Sequence, residues 1–328
     1  MEDQATKLRR LVQGKNVYFD NSDAAPQSQA SYEAPPRIIR PQVVLPWEQP
    51  AVQAPAAPPS FEGSGARIIS VTSGKGGVGK TNLTLNLAIA LGAMGQRVIV
   101  VDADLGMANI DILLGSNSKY CLMDLLKPGV TLQDVIMRGP YGVSYISGGS
   151  GMEHVADCTP MERQELFSKL ASCDEWADII LIDTGAGIGK NVLDFIVASD
   201  EVLLITTPEP TALTDAYAVM KAYSRLTETR RMRLVVNRIY DERESREVVN
   251  KLSRTADKFL HMNIDCLGYI FDDRNMAGAV RKQVPLLAAY PNSVAARCIK
   301  SLASGIMNEH QEHVKLGWQG FLKKMIGL

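Results

Sequence analysis

Lys75 and Lys80, set among glycines, are the most chemically pointed residues of this sequence. They lie in Gly74-Lys75-Gly76-Gly77-Val78-Gly79-Lys80-Thr81, which fits the pattern G-x-x-x-x-G-K-[ST]. Glycines let a backbone take positive φ and turn successive N–H groups toward one point, where phosphate oxygens can be held. A helix starting at Thr81 would aim its unpaired N–H groups and positive dipole end at the same point. In that setting Lys80 reaches the β- and γ-phosphates and the Thr81 hydroxyl ligates Mg²⁺. Lys75 is not required by the pattern. It is either a solvated loop lysine or a cation that reaches across a dimer to the partner's phosphates, as an arginine finger does.

Other polar residues close apolar runs. Asp102 and Asp104 follow Val98–Val101, and Asp183 follows Ile179–Ile182. Carboxylates just past buried strands can face phosphates and Mg²⁺; the bland reading of the first pair is a polar loop capping the next helix. Asn237 closes Leu234–Val236. A carboxamide donates and accepts together, matching the N6/N7 edge of adenine. The alternative is a turn asparagine. No Asn-Lys-x-Asp guanine motif occurs, which favours ATP over GTP.

These residues need a scaffold that brings strand ends together. Arg67–Thr72 reads as a buried strand, as do 98–101, 179–182, 202–205, 234–236 and 267–270, with Tyr145-Ile146 weaker. Leu83, Leu87, Ala90 and Leu91 recur at helical spacing after the glycine loop. Further helical patterns lie around 161–170, 192–198, 212–226 and 243–259. Continuous apolar strands separated by amphipathic helices imply an α/β fold, a mostly parallel, doubly wound sheet covered on both faces. Ligands then bind outside the carboxyl ends of the strands. In Thr207–Tyr217, the prolines and Thr211 or Thr214 as N-cap explain a helix start.

The ends of the chain read differently. Residues 1–20 contain a short helical pattern, Ala5, Leu8 and Val12, and residues 21–65 hold nine of the sixteen prolines, as a flexible linker would. The folded domain is expected over 66–309. In 310–328, Trp318, Phe321, Leu322 and Met325 form a stripe at helical spacing with Lys315, Lys323 and Lys324 near it. That composition suits either a helix in a membrane interface or a terminal helix docked on the core.

Composition limits the choices. A hydrophobic content of 46% suits a globular core, and a net charge of -1 gives no long-range pull toward nucleic acid. Cys121, Cys158, Cys173, Cys266 and Cys298 are scattered without a C-x-x-C pair, so neither zinc nor disulfides are suggested. No apolar run is long enough to span a membrane, and a reducing cytoplasm is the default.

The run Lys75–Thr81 resembles the deviant Walker A loop of the MinD/ParA group of dimerising ATPases, in which the first lysine is the signature lysine. Asp102-Ala103-Asp104-Leu105-Gly106-Met107-Ala108-Asn109-Ile110-Asp111 resembles that group's switch I, and Asp183-Thr184-Gly185-Ala186-Gly187 its Walker B strand and switch II. The resemblance implies ATP/ADP and Mg²⁺ as ligands. Gly74, Lys75, Gly76, Gly77, Val78, Gly79, Lys80, Thr81 and Asn82 would hold the phosphates, and Asn237 the base. Thr81, Asp102 and Asp183 would serve the metal. Lys75 and Asp104 would be catalytic, Asp104 by orienting the attacking water. Asp215 becomes a dimer-face residue, and a homodimer in ATP is implied.

Asp3-Gln4-Ala5-Thr6-Lys7-Leu8-Arg9 is similar to the D-Q-A-x-x-L-R motif of the flagellar-number ATPases of this group, the FlhG/FleN/YlxH type. There the peptide activates the signal-recognition-type GTPase FlhF, so Asp3, Gln4, Ala5, Leu8 and Arg9 become the partner contacts. Flagellar switch and C-ring proteins are further candidate partners. The resemblance also implies a membrane role for the C-terminal helix and a cytoplasmic protein that joins the membrane in ATP, at the cell pole. The rivals are a MinD-type selector of the division site, a DNA-partition ATPase and an iron–sulfur carrier.

Overall fold

Alternate residues of one strand serve two hydrophobic layers here. Ile69 and Val71 of β1 (Arg67–Ser73) pack with Leu83, Leu87, Leu91, Ile299 and Leu302, while Ile68 packs with Leu166, Leu170 and Phe195. Side chains alternate across a strand, so a run apolar at every position must be covered on both faces. A computed structural model describes residues 65–104, 109–116, 118–148, 159–227, 232–308 and 317–325. The N-terminal peptide and nearly all of the proline-rich segment lie outside the described residues.

β2 is Val98–Ala103, β3 Met137–Arg138, β4 Ser144–Ile146 and β5 Ile179–Ala186; β6 is Glu201–Thr206, β7 Met232–Ile239 and β8 Ile264–Phe271. They form one sheet in the order β3-β4-β2-β5-β1-β6-β7-β8, parallel except for β3 against β4. The chain stays on one side of β1 through β5, then crosses to the other with β6. Such a reversal opens a crevice at the carboxyl ends of the central strands.

The helices Lys80–Ala93 and Val294–Asn308 cover one face. On the other face, Pro210–Leu226 and Glu242–Leu260 lie over β6 and β7. Pro160–Ala171, Lys190–Ala198 and Gly317–Met325 lie over β1, β2 and β5. The sheet and both layers agree with the expected α/β fold. The helix Val294–Asn308 and the short pieces between 109 and 142 were not expected from the sequence.

The C-terminal helix takes the docked one of the two arrangements its composition allows. Its apolar stripe faces the protein: Trp318, Phe321 and Leu322 are buried, while Lys323 and Lys324 are exposed. Phe321 stacks on Trp318, ring centroids 5.0 Å apart, and on Phe195 at 6.2 Å. Asp174 Oδ1 accepts the Trp318 N–H and the Ala66 N–H, each at 2.8 Å, so one carboxylate holds the first turn of this helix and the lead into β1. Each fully buried side chain of this size contributes roughly 1.5–3 kcal/mol. The seat is imperfect, because the Trp318 indole N–H is buried without a hydrogen-bond partner among the described residues. An unmade hydrogen bond of that kind costs about 1–3 kcal/mol.

Candidate functional site

The glycine loop joins the end of β1 to the helix Lys80–Ala93. Gly77 has φ 78 and Gly79, the helix N-cap, has φ 98, both in the left-handed region. Gly74 is required for a different reason. A Cβ there would stand 2.2 Å from the backbone carbonyl of Asp215, so the loop lies directly against the helix Pro210–Leu226. Asp215 thus meets the loop through its backbone.

Lys80 points to the end of β5. Its Nζ lies 3.1 Å from Asp183 Oδ1, which also accepts the Thr84 hydroxyl at 3.2 Å; Thr81 lies beside the same carboxylate. Asp183 is fully buried, and its burial pushes the carboxyl pKa up while Lys80, Thr81 and Thr84 pull it back. Asp102 is the register neighbour of Asp183 on β2. Its oxygens accept the backbone N–H groups of Asp104 (3.2 Å) and Ile110 (3.3 Å). Burial, and then the charge of Asp183, raise its pKa to about 7.

These residues fit Mg²⁺. Asp183 Oδ2 is buried with no hydrogen-bond partner among the described residues, an acceptor that needs an explanation. Asp102 and the Thr81 hydroxyl complete an all-oxygen, partly anionic donor set of the kind a hard dication prefers.

Asp104 stands between the segment leading to Asn109 and the segment at Gly185. Its Oδ2 accepts the Asn109 amide at 3.3 Å, and its Oδ1 would lie 3.6 Å from a Cβ added at Gly185. Residues 105–108 lie outside the described residues. Lys75 points elsewhere: its Nζ donates to Glu209 Oε2 and Thr211 Oγ1, each at 2.9 Å, at a site 40% exposed on the lysine side. The lysine holds the Glu209 carboxyl below its usual range.

One sequence expectation changes, and another residue is found already engaged. The N-cap of the helix Pro210–Leu226 is Glu209, not Thr211 or Thr214. Pro210 takes the first helical position, where its missing N–H costs nothing, and Thr211 is spent on Lys75. Asn237 does not present a free carboxamide: its Nδ2 donates to the Val78 carbonyl at 2.7 Å and its Oδ1 accepts the Arg238 N–H at 2.9 Å. Asn82 follows the loop in the first helical turn, where its carbonyl accepts the Asn86 amide at 2.7 Å.

The structure thus brings Lys80, Thr81, Asp102 and Asp183 together and sets Lys75 apart. Sequence reasoning missed Thr84, Glu209 and Thr211 as partners. Thr84 was findable, since it lies one helical turn after Lys80 and so shares its face.

Comparisons with known proteins bear on this geometry. The ParA family, described as "NUBPL iron-transfer P-loop NTPase", matches residues 65–307. Antiactivator FleN of Pseudomonas aeruginosa is 39% identical over 240 residues, covering 73% of this chain and 86% of FleN. The flagellum site-determining protein YlxH of Helicobacter pylori is 32% identical over 272 residues, covering 81% of this chain and 92% of YlxH. Among solved structures, the septum site-determining protein MinD of Pyrococcus horikoshii, complexed with Mg-ADP, is 30% identical. It matches with a TM-score of 0.58 over 74% of this chain and 96% of that one.

Proposed function

The chain belongs to the MinD/ParA family of P-loop ATPases, and on that premise we propose that it is an ATP-driven dimerising switch that regulates flagellar number and placement. The observation that carries the reading is the separation of its two loop lysines. Lys80 is buried against Asp183 of its own protomer, whereas Lys75 lies on an exposed face, paired with Glu209 and Thr211. An exposed pair of this kind is weak and screened by solvent, so phosphates offered by a second copy can displace it.

Residues Gly74 to Asn82 hold the phosphates of ATP. Lys80 turns from Asp183 to the β- and γ-oxygens, and Thr81, Asp102 and Asp183 serve the metal. Mg²⁺ bound with ATP neutralises charge on those oxygens. Lys75 of one protomer reaches the phosphates held by the other. Asp104 orients the water for attack on the γ-phosphorus, and its place against Gly185 lets both switch segments respond when that phosphate leaves.

The C-terminal helix attaches the dimer to the membrane once it leaves its seat beside Phe195. Two short helices on one dimer bind a bilayer far better than one, through effective concentration. No helix among the described residues is long and apolar enough to cross a membrane.

YlxH, a flagellum site-determining protein by name, supports this role over division-site selection or DNA partition, and the match to FleN agrees with the resemblance to the flagellar-number type. The iron-transfer description of the family is not followed for this chain. Iron ligation calls for deprotonated thiols gathered at one point. Cys121, Cys173, Cys266 and Cys298 lie on separate segments, and burial pushes up the thiols of the first three, Cys173 to about 12.

Asp3, Gln4, Ala5, Leu8 and Arg9 engage an FlhF-type GTPase in this reading. Removing residues 1–10 tests it: stimulation of that GTPase should be lost while ATP turnover persists. Undiminished stimulation would refute the partner assignment.

A further inference from the structure

Asn237 lies two residues before the end of β7, where the pairing with β8 shifts register, and only 8% of it is exposed. Its amide is held at both ends, by the Val78 carbonyl on one side and the Arg238 N–H on the other. One neighbour can only accept and the other can only donate, so a single amide orientation satisfies both. Arg238 takes φ 58, a left-handed conformation uncommon outside glycine. The contact with the loop is close: a Cβ at Gly79 would stand 2.5 Å from Asn237 Nδ2.

The Val78–Gly79 peptide is trans, so its C=O and N–H point in opposite directions. Holding the Val78 carbonyl on Asn237 therefore turns the Gly79 N–H away from the amide. Gly79 is also where the loop becomes helix, and its own carbonyl accepts the Leu83 N–H at 2.9 Å. One side chain on β7 thus sets a peptide plane at the head of the helix, where the donors of a phosphate cradle begin.

We infer that Asn237 is a positioning residue for the phosphate loop. It fixes the Val78–Gly79 peptide so that the loop's N–H groups converge on phosphate, whatever base the nucleotide carries. The inference rests on the loop being a nucleotide site, but it gives Asn237 a role that base recognition does not require. Asparagine suits it: aspartate cannot donate to the carbonyl, and serine or alanine cannot reach it.

The test is competition binding of ATP, GTP and inorganic tripolyphosphate to the full chain and to Asn237→Ala. Hydrogen exchange of the unliganded loop is followed in parallel. Losing the bond should weaken all three ligands by a similar factor, about tenfold, and speed exchange at Gly79 and Lys80. Asn237→Asp keeps the side chain's size and the bond from Arg238, and serves if the alanine variant folds poorly. Its readout is exchange alone, because its charge repels phosphate by itself.

Tripolyphosphate bound as tightly by Asn237→Ala as by the parent would overturn the inference. If ATP-over-GTP preference were lost at the same time, Asn237 would be a base reader; if not, it would have neither role. A parent chain that binds none of the three ligands would overturn the nucleotide-site reading as well.

Discussion

Phe321 stacks on Phe195 with ring planes 17° from parallel. Phe195 belongs to the helix Lys190–Ala198, which begins just after the run Asp183–Gly187 that resembles switch II. The last described helix of the chain is therefore seated on the helix that directly follows that segment.

Phe195→Leu should loosen this seat while keeping most of its volume. Loss of the aromatic contact costs about 1 kcal/mol, which is a severalfold change in the undocked fraction. Sedimentation of the ADP form with anionic liposomes should rise by that factor. An ADP form that sediments no more than the parent would show that docking does not gate membrane binding.

Glu209→Gln removes the charge on which Lys75 rests. Because that pair is exposed on both sides, the change should be small. Dimerisation should need a few-fold less ATP, with nucleotide affinity of the monomer unchanged. A higher ATP requirement would mean that Glu209 belongs to the closed dimer rather than to the open monomer.

Asp102 gives a pH dependence. Its folded pKa, raised from 3.8 to about 7, means that the folded chain binds more protons than the unfolded chain between those values. Stability without nucleotide or Mg²⁺ should therefore fall as pH rises from about 4 to about 7, then level off as far as this group decides it. Asp102→Asn should flatten that slope and raise the melting temperature at pH 8. Parallel pH–stability curves for parent and variant would show that the Asp102 carboxylate is not strained in the folded chain.

The glycine loop and the carboxylates that gather beside it were legible because their signals are local. Gly74–Thr81 has fixed spacing, and Asp102 and Asp183 each close an apolar run that strand burial dictates. Contacts chosen by tertiary approach were not legible. Nothing near Asn237 in sequence says that its amide will be spent on Val78, or that Thr211 will face Lys75. The helix Val294–Asn308 was hidden by composition, since three of its six buried residues are alanines. The stripe through Trp318 and Phe321 was visible, but amphipathicity alone does not tell lipid from a protein core, and here the core covers it.

The central claim is that ATP, and not ADP, joins two copies of the chain through Lys75. Light scattering on Asp104→Ala tests it most directly, since loss of the water-orienting carboxylate should preserve bound ATP. The expected result is a doubled mass in ATP and a single mass in ADP, with the doubling abolished by adding Lys75→Ala while ATP remains bound. A single mass with ATP bound to Asp104→Ala, or a doubling that survives Lys75→Ala, would contradict it.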